Sequence, residues 1–100
     1  MAWVYILRCG DNTFYVGWTS NLDARVMQHI TGEGAVHTAL RLPVDVVYTE
    51  ECESPKAAIR RERQLKRWSA QKKAALIGGD LRALKRLSRR RTSKRRPSTG

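Results

Sequence analysis

Five side chains in this sequence have the types and spacing to handle a phosphate, a proton and a cation. Tyr5 and Tyr15 sit in the middle of two short apolar runs within "WVYILRCGDNTFYVGWT", residues 3–19. Arg25 and His29 stand four apart, so on a helix they share one face. An arginine matches phosphate oxygens through charge-assisted hydrogen bonds, and a histidine exchanges protons near neutral pH. Glu62 is the only acid between Ser54 and Gly79, set among Lys56, Arg60, Arg61, Arg63, Lys66 and Arg67. Its helical neighbours Ala58 and Leu65 put it on an inward stripe rather than on the basic face. A carboxylate placed there needs a partner, because an unpaired buried charge is costly. A salt bridge to an arginine such as Arg25 meets that need, and so does a hard cation such as Mg²⁺. Plainer readings stand beside these: packing tyrosines with satisfied hydroxyls, a solvated polar face, a structural ion pair.

A few elements must position these groups. Residues 3–8 and 14–18 are rich in Val, Ile, Tyr, Phe and Trp, with turn chemistry at 10–13, which predicts a β-hairpin. An even register, with a three-residue loop at 10–12, sets Tyr5 opposite Gly17 and Leu7 opposite Tyr15, so both tyrosines share a face. An odd register separates them. In the even case Gly17 leaves space beside the hydroxyls for a ligand or another backbone. The first strand is apolar on both faces and therefore central. Ser20 with Asp23 predicts a capped helix over 21–31, with Leu22, Val26 and Ile30 as its buried stripe. Gly32-Glu33-Gly34 ends it, a loop follows, and residues 44–48 form a third strand. Ser54-Pro55 opens a helix over about 55–68. Ser69 caps a short helix ending at Gly78-Gly79, and Asp80 caps "LRALKRLSRRR", with Leu81, Leu84 and Leu87 on one side. The order β-β-α-β-α-α predicts an α+β fold, a small three-stranded antiparallel or mixed sheet flanked by helices. Residues 1–88 are expected to form one domain, and 89–100 a basic, disordered tail.

One hundred residues suffice for a single modest core. No run approaches the roughly 20 apolar residues of a membrane span, and no export signal opens the chain. Cys9 and Cys52 lie far apart without metal-ligand spacing, as expected of buried free thiols in a reducing cytoplasm. The net charge of +11 is unevenly spread: residues 1–54 carry three basic and seven acidic side chains, residues 55–100 seventeen and two. That asymmetry points to a polyanion, nucleic acid before membrane. The candidate phosphate contacts are Arg60, Arg61, Arg63, Lys66 and Arg67, then Arg89, Arg90 and Arg91. Such charge confers affinity and no activity of its own.

Taken together, the residues resemble the GIY-YIG nuclease superfamily over about residues 2–77. Trp3-Val4-Tyr5 and Tyr15-Val16-Gly17 resemble its two name-giving motifs, and "NLDARVMQH" and "RRERQLKRWSAQKKAALI" resemble its small single-domain bacterial branch. The resemblance implies an endonuclease acting on DNA, with branched or damaged structures, repair and recombination as its setting and RNA not excluded. It implies Tyr5 as general base, Tyr15 holding the water or phosphate, and Arg25 stabilising phosphate charge. His29 would assist proton transfer or positioning, Glu62 would anchor one Mg²⁺ or Mn²⁺ ion, and Gly17 would permit close backbone approach. A free tyrosine titrates near pH ~10, so Arg25 and the cation are expected to lower the value for Tyr5. The late asparagine of many members has no counterpart, since the asparagines are Asn12 and Asn21. Its absence brings a protein partner into the expectations. His37 stands where related chains often carry tyrosine, and reads as a loop residue or a substrate contact. Two further readings compete: a nucleic-acid-binding module of the same fold that cuts poorly, and a basic adaptor for a protein or ribosomal RNA.

Overall fold

Two apolar runs of alternating residues pair as β1 (Ala2–Arg8) and β2 (Phe14–Thr19). They are antiparallel in the even register, Tyr5 opposite Gly17 and Leu7 opposite Tyr15. The computed structural model describes residues 1–95, with side chains through Ser88. The hairpin closes as Cys9 N–H donates to Thr13 O at 2.8 Å and Asn12 N–H donates to Cys9 O at 2.9 Å. Asn12 takes a left-handed φ of 65°, a conformation its short polar side chain tolerates.

β3 (Asp45–Cys52) pairs antiparallel with the other edge of β1, giving the order β2-β1-β3. It outruns the expected 44–48 because β1 offers partners as far as Ala2, opposite Cys52. A bulge between Ile6 and Leu7 shifts the register, Ile6 facing Tyr48 and Leu7 facing Val46. β1 is buried on both faces, as its composition predicts: Val4, Ile6 and Leu7 have no exposed surface. Tyr5, Leu7, Cys9 and Val44 form an apolar cluster against which Tyr15 and Leu22 pack.

α1 (Leu22–Ile30) is capped one residue later than expected. Thr19 Oγ1 accepts from Asn21 N–H at 3.0 Å, and the amide oxygen of Asn21 accepts from Ala24 N–H at 3.2 Å. Its buried face also differs from expectation: His29 is fully buried and Ile30 is half exposed. A short α2 (Val36–Ala39) occupies the segment expected to be loop. α3 (Pro55–Lys66) starts where Ser54 Oγ accepts from Ala57 N–H at 3.1 Å, and packs on all three strands. Ala58 and Leu65 are fully buried, so the inward stripe of α3 is the expected one.

Met1–Arg67 forms one compact unit, and a second begins at Trp68. In the second, Ser69 caps α4 (Ala70–Ile77) and Asp80 caps α5 (Leu81–Arg95). The Lys72 ammonium lies 4.1 Å from the Trp68 ring centroid. Leu84 and Leu87 are partly buried on the expected side with Ala83 buried beside them, whereas Leu81 is exposed. α5 passes the expected start of a disordered tail at 89, because Arg and Lys are good helix formers and the first proline beyond Asp80 is Pro97. The rest of that tail, 96–100, and the side chains of Arg89, Arg90 and Arg91 lie outside the described residues. Both cysteines are free, Cys9 buried and Cys52 partly so. Among the described residues no helix is long and apolar enough to cross a membrane.

Candidate active site

The even register sets Tyr5 and Tyr15 on one face of the sheet, ring centroids 6.5 Å apart. Against them α1 presents His29, at 5.6 Å from the Tyr5 ring and 5.2 Å from the Tyr15 ring. The Tyr5 hydroxyl lies 2.9 Å from His29 Nε2 in a buried hydrogen bond. On its other side, His29 Nδ1 lies 2.8 Å from Thr38 Oγ1. Thr38 comes from α2 and is fully buried. Tyr5, His29 and Thr38 thus form a continuous polar line through an apolar setting.

Two glycines shape this pocket. A Cβ at Gly17 would overlap the Tyr5 hydroxyl and lie 2.6 Å from Cζ. The space expected to admit a ligand beside Gly17 is therefore filled by the Tyr5 phenol. A Cβ at Gly34 would overlap His29 Nδ1 and lie 2.8 Å from Cε1. The loop after α1 thus passes close against the imidazole at Gly34, where only a glycine fits beside the ring.

Electrostatics keep the dyad neutral in the protein alone. Burial pushes the Tyr5 hydroxyl above the ordinary phenol value, and Tyr15 and Glu62 add to the rise. The hydrogen bonding and charge of Arg25 pull it down, but burial outweighs them. Without a cation, Arg25 alone does not lower the value for Tyr5, because desolvation penalises the phenolate more than the guanidinium supports it. His29 is held below the ordinary imidazole value, first by burial and then by the Arg25 charge. Arg25 is partly exposed, and its Nη1 donates to Gln28 Oε1 at 2.8 Å. It therefore faces both the dyad and solvent.

Glu62 reaches the same place from α3, close enough for its charge to act on Tyr5. Its side chain is 17% exposed, and its salt bridge is to Lys66 at 3.7 Å rather than to Arg25. That separation is too long for a hydrogen bond, and Lys66 is 52% exposed, so the lysine can swing away. Among the described residues no three His, Cys, Asp or Glu side chains converge. One carboxylate completed by water and phosphate oxygens is nonetheless a donor set that suits Mg²⁺, which keeps several of its waters.

His37 lies on α2 rather than in a loop, stacked on Tyr15 at 5.8 Å and 29°. Its Nε2 is 3.2 Å from Thr13 Oγ1, and Thr13 Oγ1 donates to Asp11 Oδ1 at 2.6 Å. Arg41 joins the same group, with Nε 2.9 Å from Asp11 Oδ2 and Nη1 donating to His37 O at 3.1 Å. The hairpin turn is thereby bound to α2. The contact of Thr38 with His29, the place of Gly34 and the stacking of His37 escape sequence reasoning. The available signal was the small-residue run Gly34-Ala35, which lets backbone close over a ring.

The basic candidates divide. Arg60, Arg63, Lys66 and Arg67 are exposed on or just after α3. Arg61 instead donates from Nε to Glu50 Oε2 at 3.0 Å and from Nη1 to Gln64 Oε1 at 2.7 Å. Tyr48 donates to the same Glu50 at 2.6 Å. Arg61 thus ties α3 to β3.

Comparison with known proteins extends this description. A family model described as the GIY-YIG catalytic domain matches residues 1–75. A UPF0213 protein of Natronomonas pharaonis is 44% identical over 78 residues, covering 78% of this chain and 92% of that protein. A UPF0213 protein of Staphylococcus haemolyticus is 44% identical over 75 residues, covering 75% and 92%. The solution structure of a UPF0213 protein from Bacillus halodurans superposes with a TM-score of 0.53 at 37% identity, over 80% of this chain and 86% of that one.

Proposed function

This chain belongs to the GIY-YIG catalytic domain family, and on that premise we propose that it is a divalent-metal-dependent endonuclease. Its substrate in this reading is DNA, with branched or damaged structures first, in repair or recombination. The observation that carries the proposal is the buried hydrogen bond from Tyr5 to His29 beside Arg25, with Glu62 in electrostatic reach.

Tyr5 is a phenol at rest, so it acts as a relay rather than as a pre-formed phenolate. As the attacking water gives up a proton to Tyr5 Oη, Tyr5 passes its own proton to His29 Nε2 at 2.9 Å. Arg25 holds the scissile phosphate through parallel hydrogen bonds. The phosphate charge also offsets the guanidinium, which otherwise disfavours a cationic His29. Tyr15, partly exposed and stacked on His37, orients the water or a phosphate oxygen. Glu62 would hold one Mg²⁺ or Mn²⁺, which when bound supplies charge stabilisation at the leaving oxygen. Arg60, Arg63, Lys66 and Arg67 hold the backbone of the nucleic acid nonspecifically.

The test is a panel of branched, nicked, single-stranded and duplex DNA with Mg²⁺ or Mn²⁺, run on the wild-type protein and Glu62→Ala. Metal-dependent cuts that vanish in Glu62→Ala, with DNA binding retained, are the expected result. Binding without cleavage on every substrate would replace this reading with that of a binding module.

A further inference from the structure

We propose that Thr38 is a positioning residue that fixes the tautomer of His29, so that Nε2 is free to take the Tyr5 proton. The inference rests on the proton-relay reading above and adds the residue that sets its direction. A threonine hydroxyl has one proton to give. Thr38 Oγ1 lies 3.0 Å from Ala35 O, and a carbonyl oxygen can only accept. The hydroxyl proton therefore points at Ala35 O, since turning it away would leave two oxygens facing each other lone pair to lone pair.

With that proton committed, Thr38 Oγ1 can only accept at its 2.8 Å contact with His29 Nδ1. Nδ1 must then carry the hydrogen. The neutral imidazole has one N–H, so Nε2 is the basic nitrogen, and it faces Tyr5 Oη at 2.9 Å. The line has a single direction: Tyr5 donates to His29, His29 donates to Thr38, and Thr38 donates to Ala35 O.

The anchor of this line is itself built into α2. Ala35 O also accepts the first helical hydrogen bond, from Ala39 N–H at 3.0 Å. The opposite tautomer would reverse the bond to Tyr5, with Nε2–H donating to its oxygen, and would leave Nδ1 facing an oxygen with no proton to share. Both Thr38 and His29 are fully buried, so water cannot repair that mismatch. Gly34 lies against the same ring, where a side chain would collide with it.

The experiment is ¹⁵N NMR of the full-length protein with labelled histidine, for wild type, Thr38→Val, Thr38→Ser and Tyr5→Phe. Wild type is expected to show His29 protonated at Nδ1, with a pyridine-type resonance at Nε2. Thr38→Ser should keep that pattern, and so should Tyr5→Phe, because Thr38 sets the tautomer. Thr38→Val should move the population toward Nε2–H. Cleavage by Thr38→Val should fall roughly 10- to 100-fold, the scale for partners that orient a working histidine, with recovery in Thr38→Ser. Wild-type His29 protonated at Nε2, or an unmoved tautomer in Thr38→Val, overturns the inference. Wild-type protein needs no variant to fold, so the first result decides even if Thr38→Val does not. Should no substrate be cut, the nuclease reading fails while the tautomer measurement still stands or falls alone.

Discussion

A buried imidazole held by a phenol on one nitrogen and a hydroxyl on the other behaves differently from a surface histidine. Burial and the Arg25 charge keep His29 neutral below the pH at which an ordinary imidazole, near 6.5, would take a proton. Only the neutral ring can receive a proton from Tyr5, so activity is present above that lowered value and lost as pH falls through it. The prediction is a kcat/KM profile whose acid limb is centred below 6.5, flat through neutrality because Tyr5 stays a phenol there. The stability effect has the same sign. The unfolded chain takes up the His29 proton at a higher pH than the fold does, so stability declines as pH drops through that window. Acid limbs centred at or above 6.5 would contradict this picture of the dyad. Sequence reasoning named Tyr5, Tyr15 and His29, which the fold brings together, but not the balance at Tyr5 between burial and Arg25. Which term dominates, desolvation or the guanidinium, depends on burial that only the packed hairpin creates.

The elements that hold these residues were readable to different degrees. The hairpin follows from two β-rich runs around a turn, though an even and an odd register both stood open until pairing set Tyr5 opposite Gly17; the inward stripe of α3 follows from Ala58, Glu62 and Leu65. α2 was not readable, because a four-residue helix carries too little periodicity to stand out. It is kept in place by contacts distant in sequence, through Asp11, Thr13 and Arg41. Nor did sequence divide the arginines of α3, which look alike until Glu50 claims one of them. Lys66→Ala should reduce the slope of log affinity against log salt by about 0.9, as expected for one lost duplex phosphate contact. Arg61→Ala should leave that slope unchanged and lower stability by about 1 kcal/mol, because its guanidinium is already held by Glu50 and Gln64. Salt titrations of DNA binding and denaturant midpoints of the two variants check this. Equal effects on the slope would show that Arg61 also contacts the nucleic acid.

At the scale of the molecule, an acidic first half carries most of the candidate site and a basic second half carries most of the charge available to nucleic acid. This separates chemistry from affinity. Glu62 crosses the divide: it lies in the basic half, on α3, yet its charge acts on Tyr5 of the acidic one. Composition alone foretold a polyanion partner, and no composition could have foretold the line of protons from Tyr5 to Ala35. Because affinity and chemistry reside on different groups, a change at the site should alter cutting and spare binding. The most direct measurement is single-turnover cleavage of branched DNA with Mg²⁺ by the wild-type protein and Tyr5→Phe, with DNA affinity measured alongside. Phenylalanine keeps the ring over Gly17 and removes the oxygen hydrogen-bonded to His29. The predicted result is a rate lower by roughly 10²- to 10⁴-fold at an affinity within about threefold of wild type. Equal cleavage rates for the two proteins would contradict it.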